Sequence, residues 1–252
     1  MLVTAFFTVN PLTNQIEHTW TLSNFSQIFS GTTYLTIILR TVLIAALVTI
    51  TDAILAFPFA FFMARVASPR VRQALFVAVL LPLWASYLAR VYAWVVILSD
   101  KGILVWTLSH LGLGSPHVAY SNTAMWIVFS YIWLPFMVIP VYAALERIPE
   151  SYLQASADLG ARGWRTFRRV VLPLALPGVV AGSIFTFSLT LGDFITPILI
   201  GGANSSFIGN TIYNNVGVGG NLPFAAALAM VPIVIMAVYL LIARALGAFK
   251  AL

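Results

Sequence analysis

A chain of 252 residues that is 61% hydrophobic and only 8% charged, with a net charge of +6, lies far from soluble globular domains, where about a quarter of residues are charged. Its apolar runs are continuous rather than alternating, so it is expected to be an all-α integral membrane protein, a polytopic helical bundle and not a barrel. In such a protein basic residues set orientation, which removes nucleic acid as a partner, and the absence of cysteine removes disulfides, thiolate metal sites and thiol chemistry.

Residues 1–9 are apolar but lack the basic start and length of a signal peptide, and they are too short to span a bilayer, so they read as the stump of a helix. Residues 10–31 are polar and turn-rich, with Asn10-Pro11, Asn14, Glu17 and His18, and read as an extramembrane segment. The first full span is expected over 41–64, with 34–40 as its helical lead-in and a kink at Pro58. A short basic loop with Arg65, Arg70 and Arg72 around Ser68-Pro69 leads to a second span, 74–98. Asp100-Lys101-Gly102 ends it, and the link to Tyr120 holds a weakly apolar patch, 103–108, then Gly112, Gly114 and Pro116. The third span, 122–145, contains Pro135 and Pro140. After a central basic loop comes a shorter fourth span, 174–191, with Pro177 and Gly178. Residues 193–222, rich in Gly and Asn, are too irregular to cross, although 194–200 can lie at the interface, and 223–246 is the fifth span.

Orientation follows from counting Lys and Arg on either side. Arg65, Arg70, Arg72, Arg147, Arg162, Arg165, Arg168, Arg169, Arg244 and Lys250 share one side, against Lys101 alone on the other. That places the basic loops and the C-terminus in the cytoplasm and residues 10–31 outside.

Motifs for covalent or nucleotide chemistry fail. Neither Lys101 nor Lys250 follows a Gly-rich phosphate cradle, and Gly217, Gly219 and Gly220 lack a preceding strand and a following lysine. His18, His110 and His117 include no helical pair beside a Glu, so no metal centre and no cofactor is expected, and His110 and His117 read as solvated loop residues.

The central loop is the only long polar stretch between apolar blocks. Ile148-Pro149-Glu150 suits a helix start, since Pro fits the first turn and an acid there complements the helix dipole. Gly160 supplies the left-handed residue beyond the helix end. Between them Tyr152, Ala155, Ser156 and Leu159 share one face, small in its middle, so a partner can approach the backbone closely. Arg165, Arg168 and Arg169 then form a strip leading into Leu172-Pro173. Two readings stand on periodicity: a docking loop for another protein, or an interfacial helix whose arginines meet anionic lipid headgroups.

The loop resembles the cytoplasmic signature of ABC-importer permeases, Glu-Ala-Ala, a glycine four residues beyond, then Ile-x-Leu-Pro. Ala155, Gly160, Leu172 and Pro173 match in register, whereas Gln154, Ser156 and Val170 stand for Glu, Ala and Ile. The glutamine keeps hydrogen-bonding capacity without the charge. Residues 81–94, Trp133-Leu134-Pro135-Phe136-Met137, 142–149 and Leu191-Gly192-Asp193-Phe194-Ile195-Thr196-Pro197 are similar to the spermidine/putrescine branch of these permeases. The resemblance implies the type I importer permease fold with its first helix truncated or missing, an external segment over 1–33, and a permease domain over 34–252 with a coupling loop over 146–173. It also implies a second homologous permease, a cytoplasmic ABC ATPase dimer and an external solute-binding protein as partners in the inner membrane. The chain itself then breaks no covalent bond, and ATP hydrolysis falls to a separate chain.

The residues assigned to ATPase coupling are Tyr152, Gln154, Ala155, Ser156, Leu159, Gly160, Arg165 and Arg168. Those assigned to the substrate route are Asp52, Trp84, Tyr87 and Asp193. Asp52 lies mid-depth in the first span, where an ionisable group is a functional candidate or else a protonated helix contact. Trp84, Tyr87, Tyr92 and Trp94 can hold an ammonium by cation-π attraction or simply anchor the interface. Arg90 is expected to snorkel to the headgroups. Rival readings are an importer of another solute, such as ferric ion, sulfate or an opine, and an ATP-independent channel or scaffold.

Overall fold

The computed structural model describes residues 2–10, 13, 15–112, 118–202, 205–217 and 219–245. The expectations placed on Pro11, Asn14, Gly114, Pro116, His117, Leu246 and Lys250 lie outside them. Val3–Phe6 forms one 3-10 turn, and Thr8–Val9 (β1) pairs antiparallel with Ile16–Glu17 (β2), Thr8 opposite Glu17. The helices follow: α1 Ser23–Ser30, α2 Thr32–Arg65, α3 Pro69–Trp84, α4 Tyr87–Leu98, α5 Ile103–His110 and α6 Asn122–Glu146. Then come α7 Glu150–Asp158, α8 Gly163–Thr166, α9 Leu172–Gly192, α10 Ile195–Ile200, α11 Ile208–Val216 and α12 Leu222–Ala245.

Five stretches are long and apolar enough to cross a membrane: Thr32–Arg65, Tyr87–His110, Asn122–Glu146, Gly163–Gly192 and Leu222–Ala245. Four correspond to the first, third, fourth and fifth expected spans. The second differs. The expected helix over 74–98 is broken, because the Ala85 amide turns back to the Pro82 carbonyl at 3.2 Å and Ala85 is extended. The resulting α3, 16 residues, rises only ~24 Å and α4, 12 residues, ~18 Å, each short of a ~30 Å bilayer core. The apolar run instead continues from α4 into α5, which occupies the patch that composition left as a link.

By backbone proximity the chain forms two compact units: Met1–Leu47, Tyr87–Phe129 and Ser188–Val238 in the first, Val48–Ser86, Ser130–Phe187 and Tyr239–Leu252 in the second. In the first unit Ala5, Ile28, Phe224, Ala227 and Leu228 are buried together, with Tyr34 and Phe25 against them. Asn24 donates from its side chain to the carbonyls of Ala5 and Phe7, so the N-terminal segment is folded onto α1. Residues 194–200, expected at the interface, form α10 instead. Thr196, Pro197 and Ile200 are buried there, and the helix packs beside α4.

In the second unit Ala56, Ala60, Met63 and Ala64 of α2 meet Met137, Val138, Val141 and Leu145 of α6, with Val171 and Ala175 joining them. The three- and four-residue spacings put each set on one helix face. Gly178 and Gly182 of α9, four apart, are pressed onto α6: a Cβ on Gly178 would stand 2.5 Å from Ala144 Cβ, and one on Gly182 2.6 Å from Met137 Sδ. Small residues at this spacing let membrane helices approach closely, where packing rather than the hydrophobic effect holds them. Buried hydroxyls add to it. Thr186 donates to Thr49 at 3.4 Å, and Tyr239 donates to Ser183 at 2.6 Å while stacking on Phe187.

Candidate functional site

The central loop of the second unit is built from α7, α8 and a π-turn over Phe167–Val171. Pro149 caps α7 and Glu150 stands in its first turn, as the sequence pattern requires. At the other end Gly160 adopts φ +73°, its amide meeting the Ala157 carbonyl at 2.8 Å while the Ala161 amide meets that of Ser156 at 3.0 Å. This pair of bonds is a Schellman closure, which satisfies carbonyls that a helix end leaves open.

Two side chains anchor the loop inward. Leu153 packs on the α2–α6 core, and Phe167 sets its ring edge-on to Phe57, with centroids 5.5 Å apart, and is stacked by Trp164. The Ser156 hydroxyl lies 2.9 Å from that of Thr166, tying α7 to α8. The outer face then stays open: Tyr152, Ala155 and Leu159 are exposed, Leu159 by 87%.

Between α7 and the basic strip runs a groove of about 450 Å³ lined by Tyr152, Ala155, Ser156, Leu159, Ala161, Arg165, Arg169 and Val170. It brings together five of the eight residues assigned to coupling. Gly160 closes the helix beside them, whereas Gln154 and Arg168 are exposed without lining the groove. Arg169, Ala161 and Val170 were missing from the assigned set. Counting three and four residues within each helix separately does not reveal that α8 folds its arginines back beside α7.

Two arginines counted only for orientation are helix caps. Arg65 Nη2 donates to the carbonyls of Leu145 and Ile148, both at 2.6 Å, joining the end of α6 to the residue that leads into α7. Arg72 donates to the carbonyls of Met63 and Ala64 at the end of α2 and lies 3.7 Å from Glu146, which accepts from Tyr142. Cations at helix C-termini meet open carbonyls and the negative end of the dipole.

The substrate-route candidates separate. Asp52 is fully buried in the second unit, with Ser130 as its nearest polar influence but neither group in a hydrogen bond of ordinary geometry. Trp84, the last residue of α3, is 89% exposed. In the first unit Tyr87 and Asp193 meet: the Tyr87 hydroxyl donates to Asp193 Oδ2 and lies 2.6 Å from the Thr196 hydroxyl, which is 2.9 Å from the same oxygen. Asp193 Oδ1 accepts from the amides of Ile195 and Thr196. The carboxylate therefore starts α10 and joins it to the first residue of α4. Arg90, expected to reach away, lies over the Tyr87 ring at 5.7 Å, where the guanidinium meets the negative face of the π-system. Thr196 was not singled out in advance, although its place three residues after Asp193 is the spacing of a helix-start hydrogen bond. Among the described residues no group of three or more His, Asp or Glu is placed to hold a metal.

Residues 56–249 match the family described as binding-protein-dependent transport system inner membrane component. The chain is 49% identical over 265 residues to the inner membrane ABC transporter permease protein YdcU of Escherichia coli K12, covering 100% of this chain and 84% of that one. It is 33% identical over 224 residues to the spermidine/putrescine transport system permease protein PotB of Haemophilus influenzae, covering 88% and 78%. Among solved structures, a bacterial alginate ABC transporter in complex with its alginate pentasaccharide-bound periplasmic protein superposes with a TM-score of 0.77, at 21% identity, over 92% of this chain and 84% of that one.

Proposed function

The chain belongs to the binding-protein-dependent transport system inner membrane components, as a multi-pass permease subunit of an ABC importer, and we propose that it carries polyamines into the cytoplasm by alternating access. Its similarity to the spermidine/putrescine permease supports the cargo. The permease domain is taken as 34–252, with 1–33 external, the coupling loop 146–173 and the C-terminus cytoplasmic. Its partners are a second homologous permease, a separate ATPase dimer and an external solute-binding protein; a periplasmic protein accompanies the solved alginate transporter.

The observation that carries the mechanism is the open groove on the coupling loop, with a small, rigidly closed helix on one wall and Arg165 and Arg169 on the other. An ATPase surface seated there moves α7, and Arg65, holding both Leu145 and Ile148, passes the movement to α2 and α6. Asp52, Trp84, Tyr87 and Asp193 are the residues assigned to the route.

Two measurements test this. The ATPase should copurify with the wild-type chain and be lost on Gly160→Arg; retention of a normal complex would overturn docking. Reconstituted importer with its binding protein should take up labelled putrescine or spermidine on ATP addition. Uptake of another solute with none of polyamine would reassign the cargo and leave the docking result standing.

A further inference from the structure

A second cavity lies in the same unit but along the membrane-spanning parts of α6 and α9. It has a volume of about 390 Å³, with Pro140 and Ala144 on one wall and Pro177, Ala181 and Ile184 on the other. That is within the ~300–1,000 Å³ of pockets that take small ligands. Gly178 lets the two helices touch along its floor. Its lining is apolar except at one end, where Arg147, the residue after α6, stands with Tyr152. Arg147 is exposed, and its guanidinium makes no ion pair or hydrogen bond among the described residues, unlike Arg65 and Arg72 nearby in sequence. The adjacent carboxylate, Glu146, is committed to Arg72 and Tyr142.

An apolar slot between membrane helices, with one uncommitted cation at its aqueous end and no acid in its lining, has the chemistry of a bound anionic phospholipid. We propose that this slot holds one acyl chain of such a lipid while Arg147 meets its phosphate. A water-soluble ligand gains nothing from the slot's apolar length, and a zwitterionic lipid gains less from Arg147, because its own ammonium competes for the phosphate. Basic pockets between spanning helices on the cytoplasmic side recognise acidic headgroups in this way. Tyr152 also lines the docking groove, so a lipid here would border the surface on which the ATPase sits.

The test uses the assembled importer, purified in mild detergent and titrated with phosphatidylglycerol or phosphatidylcholine of identical acyl chains, with bound lipid counted by native mass spectrometry. Wild type should retain phosphatidylglycerol about fivefold more than phosphatidylcholine, the effect of one Arg near an acidic headgroup. Arg147→Gln should abolish that preference, whereas Arg165→Gln, in the other groove, should not. Ala181→Phe, which fills the slot, should reduce retention of both lipids. Equal retention by wild type, or a preference that survives Arg147→Gln, would overturn the proposal. So would an assembly that retains no lipid and falls apart on Ala181→Phe, which would assign the slot to the contact with the second permease.

Discussion

The Ser156 and Thr166 hydroxyls lie 2.9 Å apart and close the coupling loop on itself, α7 against α8. The serine stands where the importer signature has alanine, so here the small-residue position carries an internal bond as well as a smooth surface. Ser156→Ala should cost about 1 kcal/mol, the usual net worth of one such bond. It should speed amide exchange over 160–166 while leaving ATPase copurification intact, as followed by hydrogen-exchange mass spectrometry.

Gly160 tests the closure of α7 independently of bulk. A Cβ there meets nothing within 4 Å, but φ is +73°, which costs an ordinary L-residue about 1–2 kcal/mol. Gly160→Ala should weaken ATPase copurification, and Gly160→Asn, which tolerates the left-handed region better, should recover most of it. Equal behaviour of the two variants would remove backbone conformation as the cause.

Arg65 is expected to matter more than its count among orientation charges suggests. Arg65→Ala uncaps α6 and frees Ile148, losing two charge-assisted bonds of about 1.5–3 kcal/mol each at most. The thermal midpoint of the assembled importer should fall, and ATP-driven uptake should fall with it. Arg65→Lys should recover the midpoint only partly, because an ammonium lacks the planar fork.

At the start of α10, Asp193→Asn should be more damaging than Tyr87→Phe. The amide can set a donor against two hydroxyls and two backbone amides that all approach the carboxylate, whereas the phenylalanine removes one donor and leaves the helix start capped. Uptake rate and thermal midpoint measured on both variants check the order.

Gly182→Leu should disrupt the α6–α9 crossing by forcing side-chain volume into Met137, a penalty of about 1–3 kcal/mol for overpacking. Gly163→Leu is the comparison, since a Cβ there meets nothing within 4 Å. Expression and monodispersity of the two variants should differ in that direction.

Four of the spanning stretches were legible because twenty apolar residues bounded by charge or glycine leave little choice in a bilayer. The closed end of α7 was legible because Gly160 stands where the amphipathic face stops. The break after Trp84 was not: Pro82, Ala85 and Ser86 sit in uniformly apolar surroundings, and proline is compatible with a membrane helix that runs on. The coupling face was read correctly along α7, but its second wall depends on a bend between helices that no single-helix periodicity encodes. Likewise the charge rule recognises that Arg65 and Arg72 lie beside membrane ends and says nothing of the carbonyls they hold. Asp193 drew attention as an acid, yet its partners Tyr87 and Thr196 come from the starts of two helices 106 and 3 residues away.

The π-turn over Phe167–Val171 sets the angular phase between the arginines of the coupling groove and the glycines of α9. The Leu172 amide reaches back five residues to Phe167, so the turn holds one residue more than an α-helical ladder, equivalent to about 100° of rotation. Deleting a single residue there would let the stretch relax to regular helix at little cost in hydrogen bonds. Everything beyond it would turn as a screw does, carrying Gly178 and Gly182 off α6 while Arg165 stayed in place. Length in this segment is thus a direction, and the chain has no spare residue in it.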